Sequence, residues 1–68
     1  MARGERRYEI VLRGELSDRF ESAFDDVDLT RVAGNTVLVG AADQARLHSL
    51  LTRVQELGLS LLSVRPLD

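Results

Sequence analysis

The chain has 68 residues, enough for one domain of a size that buries only about 60% of the surface its unfolded form exposes. It has no cysteine and a single histidine, so neither a disulfide nor a Cys/His metal cluster can add stability, and we expect no cofactor. Nine arginines against eleven acidic residues give a formal net charge of −2, which provides no general attraction to nucleic acid or to an anionic membrane.

The first predicted element is a β-strand. Residues 7–13 alternate in polarity, with Ile10 and Leu12 on one side and Val11 and Arg13 on the other. Residues 1–6 show no apolar periodicity, and we expect them to be a flexible end of a single domain that spans 1–68. The N-terminus lacks the apolar segment of a signal peptide, so the sequence predicts a cytoplasmic protein.

A helix is predicted after Gly14. The spacing of Asp18 and Glu21 is typical of a capping box at a helix start. An apolar stripe with spacings of three and four would face the sheet: Leu16, Phe20, Ala23, Phe24 and Val27.

A β-hairpin follows, and its turn determines which residues face the helices. Gly34-Asn35 suits a type II′ turn, which would pair Val32 with Val37. This register predicts two faces. The face beneath the helices would hold Thr30, Val32, Val37 and Val39, and the outer face Leu29, Arg31, Thr36 and Leu38.

The last third of the chain predicts a helix and a strand. Leucine and valine recur at helical spacing from 42 to 57, and Gly58 is a natural helix stop. A strand over 59–65 then ends at Pro66, which cannot donate a sheet hydrogen bond. The sequence leaves open which face of this strand packs on the helices, because Leu59 and Leu61 alternate with Leu62 and Val64.

The order strand, helix, strand, strand, helix, strand predicts an α+β fold of the ferredoxin-like class. We expect a four-stranded antiparallel sheet with both helices on one face. In that arrangement the fourth strand lies beside the first, followed by the third and then the second.

The outer face of this sheet is more apolar than contact with water requires. We therefore predict a non-enzymatic module that associates with itself or with another protein, and that has no nucleic-acid or membrane partner. The predicted interface residues are Val11, Arg13, Leu29, Arg31, Leu38, Leu59 and Leu61.

Few residues are candidates for catalysis or metal binding. His48 lies on the flank of the second helix, and no Ser, Cys or Asp stands at a spacing that would complete a catalytic triad. Asp25, Asp26 and Asp28 lack the glycine turn and the distal glutamate of a calcium loop. We predict neither a catalytic nor a metal site, and a small dimeric α+β enzyme is the third hypothesis.

Two stretches carry a family resemblance. The turn Gly14-Glu-Leu16, with Leu50, Leu51, Leu57-Gly58 and residues 61–64, resembles the ACT group of regulatory domains. That resemblance implies a small-ligand site at a dimer interface, formed at Arg13, Gly14 and Leu16, and it gives the second hypothesis for function. The segment 43–59 is also similar to small uncharacterised actinobacterial proteins.

Overall fold

The computed structural model describes residues 5–67 and shows a small α+β domain. A four-stranded antiparallel sheet is combined with a short 3₁₀-helix and one α-helix. In chain order the elements are β1 (Arg6–Leu12), the 3₁₀-helix (Asp18–Phe24), β2 (Asp28–Val32), β3 (Asn35–Ala42), α1 (Gln44–Glu56) and β4 (Leu61–Pro66).

The strands lie in the order β2-β3-β1-β4, so β1 is a central strand although it comes first in the chain. It pairs with β3 on one side and with β4 on the other, and each predicted neighbour pair is present. Arg6 is the first residue of β1 and pairs with Ala42, so the predicted flexible segment 1–6 is wrong at its last residue. Residues 1–4 of that segment lie outside the described residues.

The hairpin turn lies one residue earlier in the chain than predicted. The two-residue turn is Ala33-Gly34 rather than Gly34-Asn35, and Val32 pairs with Asn35. Both turn residues have positive φ, 53° and 82°, which is the signature of a type I′ turn. This shift changes the pairing partner of each residue by two positions, so the two faces hold the same residues as predicted.

The face that packs on the helices is nevertheless the one predicted to be outer, because Leu38 and Thr36 on β3 lie opposite Ile10 and Leu12 on β1. Leu38 is 1% exposed and lies opposite Ile10 on β1 and Leu29 on β2. Residues from both helices complete one hydrophobic core with this inner face. The buried core residues are Ile10, Leu12, Leu16, Phe24, Leu38, Leu50 and Val54.

The first helix is a 3₁₀-helix rather than the predicted α-helix. Its amides bond three residues back, as in Phe20 N–H to the Ser17 carbonyl at 3.0 Å. The predicted capping box is absent, because Asp18 and Glu21 contact Arg31 instead of the backbone. A 3₁₀-helix rises about 2.0 Å per residue against about 1.5 Å in an α-helix, so it lets this short segment span more of the sheet between β1 and β2.

Helix α1 is defined at both ends. The Asp43 carboxylate accepts the Arg46 amide at 2.8 Å, so the helix begins just after the predicted Ala42, which belongs to β3. At the other end the Gly58 amide donates to the Gln55 carbonyl and the Leu59 amide to Val54. These two bonds form a Schellman motif, which confirms Gly58 as the stop.

The face of β4 that the sequence left open is resolved by its pairing with β1. Val64 lies opposite Ile10 and packs against the core, and Leu59 packs there from the loop before the strand. A register shift opposite Val11 and Leu12 then leaves Leu61 and Leu62 45% and 44% exposed. Arg65 and Ser63 lie on the outer face.

The turn generates a stability prediction. Ala33 adopts a left-handed conformation that costs an L-residue roughly 1–2 kcal/mol, and asparagine tolerates it better than alanine does. We expect Ala33→Asn to raise the free energy of unfolding by about 0.5–1 kcal/mol in urea titrations. Ala33→Val is the matched control and should destabilise, since a β-branched residue is disfavoured at positive φ. Equal stability of the two variants would contradict the type I′ assignment.

Gly40 generates a packing prediction. A Cβ built on Gly40 would lie 2.8 Å from Cγ1 of Val27, which is a branched and rotationally stiff side chain. Gly40→Ala should therefore lower the free energy of unfolding by about 1–3 kcal/mol. In a Val27→Ala background the same change should cost much less. An undiminished cost in that background would place the clash elsewhere.

Candidate functional site

The outer face of the sheet, turned away from both helices, is the surface whose composition is least suited to water. Its centre is formed by Val11, Val37 and Val39, all half-buried. Val11 and Val37 lie directly opposite each other on β1 and β3. Val32, near the hairpin tip, is on the same face and is 55% exposed. These four valines form the patch that we call the valine strip.

Charged side chains flank the valine strip in a single row across the sheet. From edge to edge, the row runs Asp28 on β2, Val39 on β3, Glu9 on β1 and Arg65 on β4. Arg65 donates its Nε–H to Glu9 Oε1 at 2.8 Å. This hydrogen bond, together with the charge of Glu9, raises the pKa of the Arg65 guanidinium above its ordinary value.

The two ends of this row carry opposite charges. The β2 edge carries the exposed carboxylate of Asp28, whereas the β4 edge carries the guanidinium of Arg65, whose side chain is 64% exposed. Glu9, between them, is more enclosed, with 23% of its side chain exposed. The face is therefore apolar in the middle and polarised from one edge to the other.

The structure divides the seven predicted interface residues between the two sides of the sheet. Val11 is on the outer face, and Arg13 and Leu61 are exposed at the end of the sheet where β1 and β4 meet. Leu38 is wrong as an interface residue because it is buried in the core. The other three also belong to the helix side: Leu29 and Leu59 pack against the core, and Arg31 bonds the 3₁₀-helix segment.

The loop after β1, where the ACT resemblance implies ligand binding, is held by internal hydrogen bonds. The Gly14 amide donates to Asn35 Oδ1 at 3.1 Å, and the Leu16 amide donates to Thr36 Oγ1 at 3.0 Å. The Thr36 hydroxyl in turn donates to the Gly14 carbonyl at 2.7 Å. A ligand carboxylate would have to displace these bonds to reach either amide.

Arg31 fastens the same loop from the β2 side. Its Nε–H donates to the Leu16 carbonyl at 2.8 Å, and its Nη2 lies 3.2 Å from Asp18 and 3.3 Å from Glu21. The two carboxylates predicted to cap a helix therefore hold the guanidinium of a neighbouring strand. This cluster anchors the 3₁₀-helix to β2.

The remaining candidates for chemistry are dispersed. His48 is exposed on α1, beside a shallow depression that also involves Gln44, Leu47 and Leu51. Asp26 forms ion pairs with Arg46 and Arg53 in a cleft of about 510 Å³. Among residues 5–67, no three His, Asp or Glu side chains come close enough together to hold a metal ion. The same part of the chain contains no helix long and apolar enough to cross a membrane.

Comparison with known proteins identifies a family. Residues 7–65 match a family model described as Domain of unknown function (DUF8691). The chain belongs to this family. The match runs from β1 through nearly all of β4, so it covers the sheet and both helices of this DUF8691 domain. No curated protein matches the chain, and no solved structure matches it. The resemblance to ACT domains stays a hypothesis.

On the outer face, the sequence analysis missed Val32, Val37, Val39, Asp28 and Arg65. It grouped the three valines correctly on one face, but only the pairing of β3 with β1 shows that this face is the outer one. Asp28 and Arg65 become neighbours in one row only through the pairing of all four strands.

The buried hydroxyl of Thr36 generates a prediction. Thr36 is fully buried, and its Oγ1 is bonded to both Gly14 and Leu16. Thr36→Val keeps the shape but leaves those two backbone groups unpaired, which should cost about 1–3 kcal/mol of unfolding free energy. Thr36→Ser keeps the hydroxyl and should cost less in the same urea titration. A larger loss for serine than for valine would contradict a polar role for this residue.

Proposed function

We propose that this DUF8691 domain is a self-association module that dimerises through the outer face of its sheet. The observation that carries the proposal is the valine strip: three half-buried valines and the exposed Val32, on a face that neither helix of residues 5–67 covers. Burying apolar area stabilises association by roughly 25 cal/mol per Å², before the costs of association are subtracted. A dimer would supply the buried area that a domain of this size lacks.

Both edges of the sheet are poorly suited to the alternative, strand addition. Strand β2 has only five residues and begins with a charged one, Asp28. Strand β4 contains a register shift and ends at Pro66, which has no amide hydrogen to donate. Short strands, charges, bulges and proline are the features that discourage edge-to-edge pairing. They favour the face over the edges as the docking surface.

The size of the face predicts how strong the association is. Four strands about 4.8 Å apart and six residues at about 3.3 Å each give a face of roughly 19 by 20 Å. Two copies then cover on the order of 800 Å² of flat area, which side-chain relief increases, whereas typical stable complexes bury about 1,200–2,000 Å² in total. We therefore expect a reversible dimer with micromolar affinity rather than a permanent one.

We also propose that the fold is ferredoxin-like. The order of the elements and the pairing of β1 with both β3 and β4 support this assignment. Such a sheet covered by helices on one side leaves its other side as a continuous platform. The proposed function uses that platform and needs neither a cofactor nor a catalytic group.

Two neighbouring residues on β3 provide the test. Val37→Glu places a charge in the centre of the outer face, so the fold should persist while dimerisation is lost. Leu38→Glu, one position along the strand, places the same charge in the core and should unfold the domain. Circular dichroism measures folding, and sedimentation velocity across micromolar concentrations measures association.

The wild-type chain should show a concentration-dependent rise in mass toward the dimer. A wild-type protein that stays monomeric throughout the micromolar range would refute the proposed function. A folded Val37→Glu variant that still dimerises like the wild type would show that the dimer uses another surface.

A further inference from the structure

We propose that the partner on the outer face is a second copy oriented by its edge charges, with Asp28 of each copy facing the partner's Arg65. This inference rests on the proposed self-association and names its geometry. It uses two observations beyond the valine strip: the strand order β2-β3-β1-β4 and the shared row of Asp28, Val39, Glu9 and Arg65.

The geometry follows from symmetry. In a face-to-face dimer the twofold axis lies in the plane between the two sheets. A half-turn about an axis parallel to the strands places β2 over the partner's β4 and β3 over the partner's β1, without shifting residues along the strands. Asp28 then faces the partner's Arg65 at both edges, and Val37 faces the partner's Val11 at the centre.

The other symmetric arrangement never brings Asp28 of one copy to Arg65 of the other. An axis perpendicular to the strands places β2 over the partner's β2 and β4 over the partner's β4. With the axis on the charged row, Asp28 faces the partner's Asp28 and Arg65 faces the partner's Arg65. Like charges brought together at an interface oppose binding, so the charges favour the parallel axis. Complementary charges of this kind set register and orientation more than affinity.

The side chains can bridge the distance that this arrangement requires. Packed sheets lie about 10 Å apart, a gap that an extended arginine and an aspartate from facing sheets can span. Arg65 uses its Nε–H on Glu9, and its guanidinium keeps further N–H donors for a second carboxylate. Glu9 holds the guanidinium on the outer face, where the partner's Asp28 would meet it.

Charge reversal tests the orientation. Asp28→Arg and Arg65→Glu should each weaken dimerisation several-fold, and the double variant, which has the wild-type net charge, should recover part of that loss. Two exposed residues away from the face, Glu56 and Arg19, supply matched controls. Glu56→Arg and Arg19→Glu change the net charge by the same amounts and should leave the dissociation constant unchanged in sedimentation equilibrium.

The Arg65→Glu substitution puts a second carboxylate beside that of Glu9. Cross-linking gives a second measurement that does not need this substitution. The chain has no cysteine, so single introduced cysteines are unambiguous. A short bis-maleimide should join Asp28→Cys to Arg65→Cys when the two proteins are mixed. Neither variant alone should cross-link efficiently, because the cysteines of its two copies lie at opposite edges of the dimer.

The outcomes separate the two proposals. Efficient self-cross-linking of Asp28→Cys, with no product specific to the mixture, would overturn the orientation while leaving self-association in place. A dimer that is indifferent to both charge reversals would do the same. A wild-type chain that is monomeric at all micromolar concentrations would overturn both proposals. Cross-linking specific to the mixture, together with partial recovery in the double variant, supports the arrangement.

Discussion

The pairing of β3 with β1 is the constraint on which the rest of the structure depends, because it sets which face of the β2-β3 hairpin packs on the helices. Leu38 lies opposite Ile10 and enters the core, and Val37 lies opposite Val11 and faces away from it. The same register places Thr36 under the loop that follows β1, where its hydroxyl bonds to two backbone groups. The pairing of β3 with β1 thus organises the core, the first loop and the outer face together.

Much of the fold could be predicted from periodicity. The alternating polarity of β1 predicts a strand, the helical spacing of α1 predicts a helix, and the glycine after α1 predicts where that helix ends. The strand neighbours follow from the order of the elements. The 3₁₀-helix could not be predicted in this way, since an apolar stripe at spacings of three and four fits both helix types.

The candidate site was less predictable for a related reason. Both faces of the hairpin are rich in apolar residues, so either face could pack on the helices. Leu38 and Val37 differ little in hydrophobicity, and their pairing with Ile10 and Val11 on β1 distinguishes their roles. The charged row depends on contacts between residues far apart in sequence, such as Glu9 with Arg65, which local patterns do not contain.

The central position of β1 has a consequence for how the chain assembles. Both neighbours of β1 come later in the sequence, and its pairing with β4 joins Tyr8 to Pro66 across nearly the whole domain. Pairings this distant close slowly because of their loop entropy, so β1 spends the early part of folding with two open edges. Its apolar segment is bracketed by Arg6 and Arg7 on one side and Arg13 on the other. Charges in these positions act as gatekeepers, which keep an unpaired nascent strand from aggregating until its partners have been synthesised.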